Sequence, residues 1–269
     1  MSPCRGRRLR VGLGRRARRA ARRHPFTLSV HRGRQDSGRT GHADPRPAHL
    51  ARLCGRGGAH AAARDCILIV PQRNPLVLAK ELATLDRISG GRVELGLGVG
   101  WLKEEFDALG VPWKRRGRRN DEYVAAMRAL WAGPHAEYHG DFVDFEPATC
   151  SPRPVKGNIP ILVGGDTDAA IGRAVRIADG YFPGEGDPER LAGLIGRLRA
   201  RCEEAGRDPA SIEVNAMFGA QMKDPAAGVE HLAGLGVGRI MVPAFFFAGP
   251  GGLDRMERFA ETVMPLTGG

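Results

Sequence analysis

The apolar positions of this chain change character near residue 65. From Cys66 onward they alternate between two patterns. Cys66-Ile67-Leu68-Ile69-Val70 is an unbroken apolar run, as expected of a parallel strand buried on both faces. Pro75 to Ile88 then predicts a helix. Asn74 stands at the capping position, Pro75 suits the first turn, and Gly90-Gly91 ends it. Leu78, Leu82, Leu85 and Ile88 form its apolar stripe. Further strands are predicted at Arg92–Val99, Ile159–Val163, Tyr181–Phe182, Ile212–Phe218 and Ile240–Phe245. Helices are predicted at Asp121–Trp131, Asp168–Ala178, Pro188–Ala205, Ala226–Leu235 and Leu253–Val263. Between Glu137 and Glu146, Tyr138, Phe142 and Phe145 alternate with polar residues, which reads as a hairpin or an extended lid.

Six strands alternating with helices imply an α/β fold of parallel strands with right-handed crossovers. An open doubly wound sheet and a barrel both satisfy this order. No GxGxxG opens a helix after the first strand, which weakens the dinucleotide-binding option. Six strands are two short of a (β/α)8 barrel, and the missing two would fall within residues 1–65.

Those 65 residues contain no Ile, Trp or Tyr and one Phe. They hold 17 arginines and three acids, a net +14, which leaves −3 for the other 204 residues of a chain whose total is +11. The basic excess therefore says nothing about the rest of the chain. Its aliphatic content is too low for a packed core, apart from a short exposed helix over Arg15–Arg23. Three readings stand: a basic arm for nucleic acid, a disordered tail, or the product of out-of-frame translation of a GC-rich gene. The composition fits the third best, and it carries the expectation of an inactive truncated or frame-shifted product. Residues 1–65 and 66–269 are accordingly read as separate segments, the second being the folded α/β domain. Five scattered cysteines with no CxxC argue against a zinc or disulfide framework and for a reducing cytoplasm. No apolar run is long enough to span a bilayer.

The chemistry-bearing residues gather after predicted strands. Pro71-Gln72-Arg73-Asn74-Pro75 follows the first. Gly96-Leu97-Gly98-Val99-Gly100-Trp101, with Glu104-Glu105-Phe106, closes the second. Gly164-Gly165-Asp166-Thr167 joins a strand to a helix. Glycine at such an exit lets backbone approach a planar ring, although Gly96 and Gly98 would equally relieve crowding between side chains. The Gly164–Thr167 junction suits an anion at a helix N-terminus, or an ordinary cap. Glu104 and Glu105 read as a solvated helix face, and Asp86 with Arg87 and Arg92 as an ion-pair network. Met217 and Phe218 read as core.

The block from Pro71 to Phe106 closely resembles the luciferase-like monooxygenase superfamily, most of all its branch that uses the deazaflavin coenzyme F420. The similarity continues through Pro160–Gly165 and Ala178-Asp179-Gly180-Tyr181. It implies a (β/α)8 TIM barrel, here incomplete, with chemistry at the C-terminal ends of the strands. It implies hydride transfer between coenzyme F420 and an organic substrate, with an FMN-dependent monooxygenase as the alternative. The cofactor-binding residues implied are Val70, Pro71, Gln72, Gly98, Val99, Gly100, Trp101, Gly164, Gly165, Asp166 and Thr167. Family members carry a polar pair such as Glu-His after the second barrel strand. His24, His31 and His42 do not match it, so no catalytic residue is assigned. The expected partners are a small-molecule substrate and a second copy of the chain, with no membrane, and nucleic acid is disfavoured.

Overall fold

The computed structural model of the protein describes residues 27–31 and 63–266, with side chains from residue 67 onward. In chain order the strands are β1 (Thr27–His31), β2 (Ala63–Ile69), β3 (Val93–Gly98), β4 (Ala136–His139), β5 (Asp144–Ala148), β6 (Ile161–Gly164), β7 (Gly180–Phe182), β8 (Glu213–Met217) and β9 (Arg239–Pro243). The α-helices are α1 (Pro75–Ser89), α2 (Lys103–Ala108), α3 (Arg116–Ala132), α4 (Asp168–Ile177), α5 (Pro188–Glu204), α6 (Pro225–Gly234) and α7 (Gly252–Val263). All six strands predicted after residue 65 are present and parallel to their described neighbours. No described helix is long and apolar enough to cross a membrane.

The chain divides into two compact units. The larger takes residues 39–182 and 201–212. Its strands pair in the order β2-β3-β6-β7, with Ile69 opposite Gly98, Leu97 opposite Val163, and Gly164 opposite Phe182. The segment 137–146 folds as expected: β4 and β5 form an antiparallel hairpin, and Tyr138 stacks on Phe145 at 6.4 Å.

Helix α1 starts where its cap predicts. Asn74 Oδ1 accepts the N–H groups of Leu76 and Val77 at 3.0 and 3.1 Å. Gly90, at φ 73°, ends it in the left-handed region, where a Cβ is costly. One expectation fails. Ile88 is 69% exposed, and Ser89 is buried instead. At 3.6 residues per turn, position 88 lies about 80° from Leu78 around the axis and position 89 about 20°. The stripe therefore runs through Leu78, Leu82, Leu85 and Ser89.

The expected Asp86 ion-pair network is also corrected. The buried Asp86 carboxylate accepts two backbone N–H groups, from Val93 at 3.3 Å and from Val155 at 2.7 Å. Arg87 Nε donates to the Arg153 carbonyl, and Arg92 Nε to that of Ser89. Asp86 thus ties α1 to β3 and to the loop before β6 through main chain.

Helix α3 starts five residues before the predicted Asp121. The buried Arg119 donates to the carbonyls of Pro112 at 2.7 Å and Lys114 at 3.4 Å. The arginines before the predicted start are therefore the first turn of the helix, with Arg119 bonded to the carbonyls just ahead of it. Farther along, Trp131 is fully buried and its Nε1 donates to the Ala79 carbonyl at 3.0 Å. The C-terminal end of α4 is fastened by Arg207, whose guanidinium donates to the carbonyls of Ala174, Val175 and Ala178.

The smaller unit takes residues 1–38, 183–200 and 213–269. Its strands pair in the order β1-β9-β8, all parallel. Within the segment that composition predicted to lack regular structure, Thr27–His31 pairs with β9, setting Leu28 opposite Ile240 and Val30 opposite Val242. The other expectations for residues 1–65, including the exposed helix and the non-native origin, lie outside the described residues. The predicted strand Ile240–Phe245 stops at Pro243, and Ala244–Phe247 forms a 3-10 turn. Phe218 is fully buried, and Met217 partly so.

Candidate functional site

The predicted residues lie at the exits of β2, β3 and β6, all in the larger unit. Strand β2 ends in a 3-10 turn, Val70–Gln72, closed by the Arg73 N–H on the Val70 carbonyl. Val70 and Pro71 are buried in packing. Gln72 is half-buried, and its Nε2 donates to Glu105 Oε2 at 3.3 Å. Glu105 therefore joins the β2 and β3 exits, and of the two glutamates Glu104 alone is exposed. Beside them, burial lowers the pKa of the Arg73 guanidinium, opposed by the charge of Glu81.

After β3 the chain passes through Val99, Gly100 and Trp101. Gly100 sits at φ 80°, and a Cβ there would lie 2.6 Å from Phe106 Cε2 and 3.0 Å from Ile69 Cγ2. Both the conformation and the space demand glycine. The loop beyond is held by stacked groups. Phe106 meets Trp113 edge-on at 5.1 Å, Arg116 lies over Trp113 at 3.6 Å, and Arg116 Nε donates to the Gly100 carbonyl at 3.1 Å. Trp101 is 77% exposed.

At the β6 exit, Gly165 takes φ 116°, and its N–H and C=O are both engaged, by the Phe182 carbonyl at 3.3 Å and by the Tyr181 hydroxyl at 2.8 Å. Thr167 caps α4 by accepting the Ala170 N–H. Asp166 and Thr167 are exposed. The junction thus has the geometry of a cap, with one of the proposed anion-binding N–H groups already in use.

One residue that sequence reasoning passed over brings the three exits together. Ile67, on β2, fills the space above two glycines. A Cβ on Gly98 would lie 2.7 Å from Ile67 Cγ2, and one on Gly164 would overlap Ile67 Cδ1. Both glycines accommodate the same side chain, from the adjacent strand at Gly98 and from two strands away at Gly164; for Gly98 this is the crowding role considered above. Ile67 is 38% exposed, so the surface offered there is isoleucine, not glycine backbone. The only signal in the sequence was the β-branched residue within an apolar run, which every strand shares. Gly164→Ala is expected to cost about 1–3 kcal/mol through overpacking. Ile67→Ala should cancel most of that loss, because it vacates the same space. A urea-unfolding double-mutant cycle checks this; strictly additive losses would show that the two sites do not share it.

Among the described residues at these exits the carboxylates are Glu104, Glu105 and Asp166. Among the described residues no group of His, Cys, Asp and Glu can hold a metal ion. His139 lies away on β4, and its hydrogen bond to Asp144 at 2.6 Å raises its pKa. Cys150 and Cys202 are buried, and burial raises both thiol pKa values.

Comparison with known proteins places this geometry. A model of the family "Luciferase-like monooxygenase" matches residues 66–259. An uncharacterized protein of Mycobacterium tuberculosis is 40% identical over 207 residues, 74% of this chain and 70% of its own length. The FMNH(2)-dependent dimethylsulfone monooxygenase of Pseudomonas putida is 35% identical over 147 residues, 53% of this chain and 40% of its own length. Among solved structures, the coenzyme F420-dependent tetrahydromethanopterin reductase of Methanopyrus kandleri superposes with a TM-score of 0.68 at 20% identity, covering 82% of this chain and 87% of that one. At that identity the likeness shows the fold alone: an α/β fold of the luciferase-like (β/α)-barrel type, incomplete here.

Proposed function

The chain belongs to the luciferase-like monooxygenase family, whose members are oxidoreductases or monooxygenases, and from that premise we propose that it transfers a hydride between coenzyme F420 and a small organic substrate. The observation that carries the reading is the convergence of the β2, β3 and β6 exits on Ile67. In strands of this class, chemistry sits at the C-terminal ends. The Pro71–Phe106 block, which resembles the F420-using branch, forms two of those exits, and the Methanopyrus reductase supports the same cofactor.

The residues present fit a planar, apolar ring with a polar tail. Ile67 and Trp101 offer exposed apolar surface, and Gln72 and Glu105 offer polar groups beside it. Asp166 and Thr167 lie exposed at the start of α4, where backbone N–H groups favour negative charge. A bound deazaflavin or flavin supplies the two-electron chemistry; the protein holds it and excludes water. Gly100, fastened by Arg116, keeps the β3 exit in shape.

Reduced FMN is the second reading, favoured by the similarity to the dimethylsulfone monooxygenase. Titrating the protein with each cofactor while following tryptophan fluorescence separates the two. Coenzyme F420 is expected to quench, and Trp101→Phe to remove most of the quench. Saturable FMN binding with no response to coenzyme F420 overturns the first reading.

A further inference from the structure

In the larger unit, an open cleft of about 430 Å3 lies between the start of α3 and α4. Its size is that of a small-ligand pocket, room for on the order of a dozen waters. Four arginines line it: Arg118 on α3, Arg173 and Arg176 on α4, and Arg201 in the last turn of α5. Two carboxylates face them, Asp121 and Asp168. The lining has two more guanidiniums than carboxylates and no aromatic or large aliphatic side chain, so its ligand is recognised by charge.

The cleft is built, not accidental crowding of surface charge. Arg173 is buried, and its guanidinium pairs with Asp121. Arg176 reaches the same carboxylate at 2.8 Å and the Gly172 carbonyl at 3.1 Å. One acid thus fixes two guanidiniums. Both glycines of the lining make room for them. A Cβ on Gly117 would lie 2.8 Å from Arg173 Nη2, and one on Gly172 would lie 3.5 Å from Arg176 Nη1 and 3.6 Å from Arg201 Nη1. Arg118 is turned to Asp141 at 3.2 Å, outside the lining. Arg201 is exposed, and its guanidinium forms no hydrogen bond or ion pair among the described residues.

We propose that this cleft binds a small phosphorylated anion, with Arg201 and Arg176 as its principal contacts. Guanidinium forks match phosphate oxygens two at a time, and a dianion balances the surplus charge. The cleft adjoins the start of α4 through Asp168, but none of its residues is one assigned to the cofactor, so the proposal does not rest on the redox reading.

Calorimetric titration of the full chain with inorganic pyrophosphate at low salt tests this. One saturable site is expected, with affinity falling at least tenfold in Arg176→Gln/Arg201→Gln. Arg201→Gln alone, which breaks no bond among the described residues, should weaken binding measurably while leaving the circular dichroism spectrum unchanged. The pair Arg18→Gln/Arg19→Gln removes the same charge elsewhere and should leave affinity unaltered. Absence of saturable binding at millimolar pyrophosphate, or equal losses from the two double variants, overturns the proposal. Displacement of pyrophosphate by duplex DNA, but not by inorganic phosphate, would mark a nucleic-acid surface and overturn it as well.

Discussion

Trp131→Ala is expected to destabilise the larger unit by about 3–5 kcal/mol, which is close to the whole stability of many domains. The indole is fully buried, and its Nε1 is satisfied by the Ala79 carbonyl of α1 at 3.0 Å. Truncation removes the ring that joins α3 to α1 and leaves a cavity that the neighbouring helices can close only in part. Trp131→Phe separates the two contributions. It keeps most of the packing and loses the hydrogen bond, so it should cost about 1–2 kcal/mol. Urea unfolding followed by far-UV circular dichroism gives both values. A Phe variant as damaged as the Ala variant would show that the hydrogen bond, not the volume, dominates.

The second large effect is expected at Asp86. Its two oxygens hold the N–H groups of Val93 and Val155, one at the start of β3 and one in the loop leading to β6. Hydrogen bonds to a charged group are worth more than neutral ones, and a buried N–H left without a partner costs about 1–3 kcal/mol. Asp86→Ala orphans two, so a loss of about 2–4 kcal/mol is expected. Asp86→Asn keeps one acceptor oxygen and turns an NH2 toward the other N–H, so it should recover less than half. Hydrogen exchange localises the effect: the amides of Val93 and Val155 should lose protection in Asp86→Ala first. Unchanged protection there would refute the clamp.

Much of this architecture was legible from residue order because it rests on local rules. The Asn74-Pro75 start and Gly90 stop of α1 are satisfied by atoms within a few residues, and β2 and β6 show as short apolar runs in the sequence itself. The failures have a common physical cause: partners distant in sequence. Asp86 looked like an ion-pair member because two arginines flank it nearby, yet its partners are backbone groups 7 and 69 residues away. Arg116 to Arg119 fell outside the predicted helix because nothing in their polarity reveals that carbonyls and an indole ring await them. β1 sits in a composition too poor in aliphatics to announce a strand, and takes its definition from β9. At the candidate site, the glycines were visible but their occupant was not. Only the register between β2, β3 and β6 places Ile67 over both Gly98 and Gly164.

Arg207 has a consequence for how this protein can be taken apart. The larger unit is discontinuous along the chain, since residues 201–212 return to it after 183–200 have left. The guanidinium that this short return brings closes three carbonyls at the C-terminus of α4. A fragment cut after Phe182 keeps every strand of its sheet but loses that clasp, exposing the end of the helix whose other end carries Asp166 and Thr167. Limited proteolysis between α4 and the return would therefore loosen α4 at its C-terminal end, without touching a residue of the strand exits.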